Sequence, residues 1–139
     1  MEKLHKLIQT LQASPQKVKL LQEINSQLLS RFRLKITEGI FLYPLEVEAY
    51  YNDGDQFEDS SCHCHALQYD RFGKLYFHRL GATDTIDKNR GGTDLCLSTR
   101  NGLCYSILIR SAKINDQVII GPHRVAKKYL TSPQHPTQN

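Results

Sequence analysis

Two glutamates and a tyrosine alternate with apolar residues in the stretch Leu45-Glu46-Val47-Glu48-Ala49-Tyr50. Successive side chains of a strand point to opposite faces, so Leu45, Val47 and Ala49 are expected in the core and Glu46, Glu48 and Tyr50 together on the other face. A carboxylate beside a flat ring suits activation of water next to a stacked aromatic ligand. The same alternation is what a half-solvated sheet strand with two surface glutamates produces, and pattern alone leaves both readings open.

Three other stretches carry chemistry. Cys62-His63-Cys64-His65 puts two thiols on one face of a strand and two imidazoles on the other, so all four cannot hold one metal without a break in the strand. A zinc site could still use one pair with Cys96, Cys104 or His78, but no CxxC spacing or distant CxxC/HxxxH partner supports it. Core thiols with surface or pocket histidines therefore come first, and a small zinc protein is the third functional reading. Arg110 closes the apolar run Cys104-Tyr105-Ser106-Ile107-Leu108-Ile109 and is either an end-of-strand surface residue or a guanidinium holding something anionic. Gly121-Pro122 opens a helix beside His123, Arg124 and Lys127, and Lys88 and Arg90 precede Gly91-Gly92; both are possible phosphate contacts.

The elements that must position these residues follow from length and period. A chain of 139 residues with 40% hydrophobic content is expected to form one domain with a core of its own. No apolar run approaches a membrane span and the start lacks a secretory signal, so a cytoplasmic protein with no membrane contact is expected. On that ground its four cysteines are read as reduced thiols or metal ligands rather than disulfides. From Arg71 onward eleven Lys and Arg face four Asp, whereas residues 1–70 carry seven basic and ten acidic groups. A cationic second half fits a phosphate-bearing partner or a solvated basic surface.

Leu4, Leu7, Ile8 and Leu11 recur at helical spacing, and Ser14-Pro15 reads as the cap and first turn of a second helix over 15–31. Its core stripe is expected to hold Val18, Leu21, Ile24, Leu28 and Phe32, with Lys17 off it. After Arg33 the period changes to two, with a turn at Glu38-Gly39, and Pro44 is expected at an edge or bend where the central strand begins. Gly73 to Arg79 reads as a turn into a strand, and 93–98 with 104–110 as a hairpin closed near Asn101-Gly102. The fold class is therefore α+β: a single mixed domain over 1–131, with N-terminal helices over 1–33, an antiparallel sheet and a C-terminal helix, then a loose tail over 132–139.

In this order the pieces resemble the alkyladenine (3-methyladenine) DNA glycosylase family over residues 20 to 131. Four segments carry the resemblance: Leu28-Leu29, the strand ending Glu48-Ala49-Tyr50, Ser106 to Ala112 around Arg110, and Gly121-Pro122-His123-Arg124-Val125 before Lys127-Lys128-Tyr129-Leu130. It implies a curved antiparallel sheet, with Glu48 as the base that activates water and Arg110 near that water. It also implies Tyr50 stacked on a flipped base and Tyr76 in a strand of pocket aromatics. His78 stands where a second stacking tyrosine is usual, Ser98 replaces an asparagine, and a pocket histidine would be His63 or His65. Lys88, Arg90, Gly121, His123, Arg124 and Lys127 are the expected contacts to the DNA backbone.

The resemblance thus implies a monofunctional hydrolase, acting as a monomer on damaged duplex or single-stranded DNA. It would cut the N-glycosidic bond of a flipped alkylated or deaminated purine in base excision repair, with no metal or organic cofactor. The alternative is a non-catalytic nucleic-acid or nucleobase binding module on the same fold.

Overall fold

Leu4, Ile8 and Leu11 are fully buried along one stripe of the first helix, α1 (Glu2–Ala13), as their spacing predicts. In the second helix, α2 (Lys17–Arg31), Ile24 and Leu28 are buried, while Val18 is 56% exposed and Lys17 only 5%. Lys17, not Val18, thus takes the inward place. Its ammonium donates to the carbonyls of Leu11 (3.1 Å) and Gln12 (2.8 Å) at the end of α1 and lies 3.7 Å from Asp53 Oδ2. The turn between the helices also starts α2 at Lys17 instead of Pro15, with the Gln16 amide donating to the Ser14 hydroxyl.

The computed structural model describes residues 2–54, 57, 59, 62, 72–77, 92–99 and 103–130. Among them six strands follow the helices: β1 (Leu34–Thr37), β2 (Ile40–Asn52), β3 (Leu75–Phe77), β4 (Thr93–Cys96), β5 (Cys104–Ile114) and β6 (Gln117–Ile120), before a third helix, α3 (Pro122–Leu130). The class is α+β, and the sheet is a curled antiparallel half-barrel in the order β1-β2-β5-β4-β3, with β6 also paired to β5.

The inner face of the sheet carries the core. Val47, Ala49, Tyr51, Leu95, Tyr105 and Ile107 pack against α1 and α2, and Leu42, Ile109, Ala112, Ile114 and Ile119 pack against Val125 and Tyr129 of α3. Each such aliphatic side chain taken out of water contributes about 1.5–3 kcal/mol, which is why the helices close on this face.

Three expectations about the strands need correction. Pro44 does not start a strand; β2 runs continuously from Ile40 to Asn52 and buries it. Arg110 does not end a strand either, because β5 continues to Ile114. Leu45 is 46% exposed, not core. One irregularity explains all three. The β2–β5 register steps between Pro44 and Glu46 and again between Glu46 and Val47, leaving Leu45 and Arg110 without a directly opposite residue. Such a bulge tolerates the missing N–H of proline and switches which residues face inward: Leu42 and Pro44 before it, Val47, Ala49 and Tyr51 after it.

Candidate active site

Beyond the bulge the alternation of β2 holds, and Glu46, Glu48 and Tyr50 share the outer face. The opposite edge of β5 places Arg110 beside them. There β4 pairs with residues 106–108 and β6 with 111–114, so Arg110 falls in the gap between two strands laid end to end. The chain fills that gap with Gly121, whose amide donates to the Arg110 carbonyl at 2.9 Å. Gly92 lies close by: a Cβ there would meet Pro122 Cβ at 2.8 Å and Leu108 Cδ1 at 3.0 Å, and its φ is +95°, so only glycine fits.

The guanidinium of Arg110 donates from Nη1 to Glu48 Oε2 at 2.7 Å, and its Nε stands 3.6 Å from Glu46 Oε1. The Tyr50 hydroxyl donates to the other oxygen of Glu48 at 2.8 Å. Glu48 is therefore held at both oxygens, each of which keeps a second lone pair for a water. Glu46 is not the free solvated bystander that its place in the strand suggests, since it braces the far side of Arg110 and accepts a 3.5 Å contact from Ser111 Oγ. Glu48 and Arg110 are each about two-fifths exposed, so the pair is open to a ligand but screened, and the contact fixes geometry more than it stabilises the fold.

No family model, curated protein or solved structure matches this chain.

The sheet register extends the site sideways. Glu48 is opposite Leu108, Leu108 opposite Asp94, and Asp94 opposite Tyr76; one row over, Tyr50 is opposite Ser106 and Ser106 opposite Cys96. Directly paired residues share a face, so Tyr50 and Tyr76 flank a floor made of Ser106, Leu108 and Asp94. Asp94, 1% exposed, accepts a 2.9 Å hydrogen bond from Ser106 Oγ. It carries no motif, and the sequence reading passed over it; a charged residue inside the Thr93–Cys96 strand was the only signal.

Burial, then the hydrogen bond to Glu48, pushes the Tyr50 hydroxyl up to about 12. The folded chain therefore holds this proton more tightly than the unfolded one. Its contribution to stability is complete below pH about 10, the ordinary tyrosine value, and is lost as pH rises through about 12. In an alkaline titration followed by tyrosinate absorbance, Tyr50→Phe should remove one group from the phase near pH 12. A late phase of unchanged amplitude would contradict the burial and the Glu48 hydrogen bond that together raise Tyr50.

Other predicted residues fall elsewhere. Ser98 is buried at the hairpin, its hydroxyl engaged with the amide (3.1 Å) and carbonyl (3.4 Å) of Tyr105, so it closes β4 onto β5 and does not face a ligand. The Gly121 amide is committed to Arg110 and is not open to a phosphate. In α3 Arg124 and Lys127 are exposed, whereas His123 is half-buried with Nδ1 enclosed. His63, His65, His78, Lys88 and Arg90 lie outside the described residues.

The expected reduced cysteines are corrected in part. Cys62 and Cys96 are outside any disulfide, but Cys104 is disulfide-bonded, a proximity that spacing along the chain cannot reveal. Burial, then the charge of Asp59, pushes the Cys62 thiol up to about 12, which disfavours a reactive thiolate there near neutrality. Among the described residues no group of three or more His, Cys, Asp or Glu is placed to hold a metal ion, and no helix is long and apolar enough to cross a membrane.

Proposed function

We propose that the chain is a DNA glycosylase-like hydrolase of the alkyladenine type, acting on a flipped alkylated or deaminated purine. The observation that supports this best is the Glu48 carboxylate, clamped between Arg110 at 2.7 Å and Tyr50 at 2.8 Å on an outer sheet face with a second tyrosine, Tyr76, in the same row. Positioned acid–base groups of this kind contribute about 10²–10⁴-fold to a rate.

In this reading Glu48 takes a proton from water, the resulting hydroxide oxygen bonds to the sugar carbon, and the glycosidic C–N bond breaks with its electron pair leaving on the base. Arg110 keeps the carboxylate aimed, and the rings of Tyr50 and Tyr76 hold the base by stacking, a contact worth about 1–3 kcal/mol per base. Exposed Arg124 and Lys127 are assigned to the DNA backbone, where each neutralised phosphate releases counterions. A monomer in the cytoplasm completes the proposal, and there the Cys104 disulfide would be reduced in the cell.

The test is incubation of the protein with duplex and single-stranded DNA carrying 3-methyladenine, hypoxanthine or ethenoadenine, scored for abasic sites. Release from at least one substrate is expected. DNA binding with no release from any of them would overturn the enzyme and leave the binding module.

A further inference from the structure

Leu42 points into the core, so its neighbours Phe41 and Tyr43 lie on the outer face of the sheet, at the end of β2 away from Tyr50. Directly paired residues share that face: Lys35 is opposite Phe41, and Lys113 is opposite both Tyr43 and Val118. Of the six large hydrophobic side chains exposed among the described residues, four lie on this side of the sheet: Tyr43, Leu45, Val118 and Ile120. They form a patch, and a patch of this kind marks an interaction surface.

The cations of this face say what it would bind. The Arg33 guanidinium lies 4.0 Å from the centroid of the Phe41 ring and donates from Nη1 to the Tyr43 hydroxyl at 3.3 Å. Among the described residues it has no carboxylate partner, so two aromatic side chains hold in place a cation whose charge is not neutralised. Lys35 and Lys113 pair with Glu38 and Asp116, whose side chains are 92% and 95% exposed. Pairs so open to water are weak and screened, and such a cation exchanges its partner readily. The Tyr43 ring, 41% exposed, thus has Arg33 at its hydroxyl and Lys113 beside it across the β2–β5 ladder.

We propose that this face docks single-stranded DNA, with a base stacked on Tyr43 and the neighbouring phosphates on Arg33 and Lys113. An accessible ring flanked by cations matches an unpaired base and its backbone, whereas a base inside a duplex offers no face to stack on it. Tyr43 lies on the strand that carries Glu48, about 15 Å along it, so a single strand crossing Tyr43 runs on toward the candidate active site. The choice of DNA over RNA rests on the glycosylase reading; the aromatic and cationic surface does not.

The test is fluorescence anisotropy of a short, labelled, lesion-free oligothymidylate over a series of salt concentrations, with thermal midpoints measured for every variant. Wild type should bind it more tightly than a duplex of equal length or an oligouridylate. Tyr43→Ala should lower affinity about 5–100-fold, the value of one stacked base, whereas Tyr43→Phe keeps the ring and should stay within about three-fold of wild type. Arg33→Gln and Lys113→Gln should each reduce the slope of log affinity against log salt by about 0.7, one phosphate contact on a single strand. If Tyr43→Ala fails to fold, those two slopes decide. Unchanged affinity in a folded Tyr43→Ala, or unchanged slopes in both cation variants, overturns the docking surface, and so does the absence of binding by wild type. Duplex bound as tightly as the single strand overturns the stacking platform, and oligouridylate bound more tightly overturns the choice of DNA. The probe carries no lesion, so the outcome is independent of base release. Binding without excision keeps this surface and removes the enzyme, and excision with a normal affinity in Tyr43→Ala does the reverse.

Discussion

Glu48→Gln should lower single-turnover base release by about 10²–10⁴-fold while leaving affinity for the same DNA within about two-fold. Glutamine keeps the length and shape of the side chain, and its carbonyl oxygen can still meet Arg110 or Tyr50. It cannot take a proton from water. Its amide also sets a donor against one of two donors, Arg110 Nη1 or Tyr50 OH, where the carboxylate accepts from both at 2.7 and 2.8 Å. The two readouts separate the roles. A loss of binding with an unchanged rate would make Glu48 a contact residue, and an unchanged rate with unchanged binding would remove it from the chemistry.

Lys17→Ala should cost about 3–5 kcal/mol of folding free energy, the usual consequence of removing one partner from a buried ion pair. Lys17 and Asp53 are 5% and 7% exposed, so the ammonium is the nearby cation that offsets a carboxylate taken out of water. The same ammonium donates at the end of α1 to the carbonyls of Leu11, which the Ser14 amide also meets at 3.3 Å, and Gln12, both left by the helix without intrahelical donors. The ammonium also stands over the Tyr51 ring, 5.9 Å from its centroid. For a domain whose total stability is about 5–15 kcal/mol, the variant should show a large fall in its urea midpoint. A change below about 1 kcal/mol would mean that water replaces the ammonium there.

What was legible in the sequence was local. Helical spacing placed Leu4, Ile8 and Leu11, period-two alternation put Glu46, Glu48 and Tyr50 on one face, and Gly121-Pro122 marked the start of α3. What was not legible depends on pairing between distant strands. The bulge that exposes Leu45 and frees Arg110 arises only when β2 and β5 meet, and no feature of either segment alone announces it. Lys17 was placed on the wrong side of its helix because periodicity counts charge as surface, whereas here two helix carbonyls and Asp53 make burial favourable. Ser98 entered only as the residue replacing an asparagine in the resemblance, and its actual partner, the Tyr105 backbone, is fixed by the folded hairpin. Asp94 became visible only through the register that sets it between Ser106 and Tyr76.

Glu48 and Arg110 are held to work as one unit, and a double-mutant cycle on base release addresses that directly. Single-turnover rates are compared for wild type, Glu48→Gln, Arg110→Gln and the double variant. If Arg110 acts by aiming Glu48, its loss matters little once Glu48 is gone, and the double variant should be no slower than Glu48→Gln within about two-fold. Losses that multiply across the two sites would contradict the pairing, leaving two independent residues that happen to lie 2.7 Å apart.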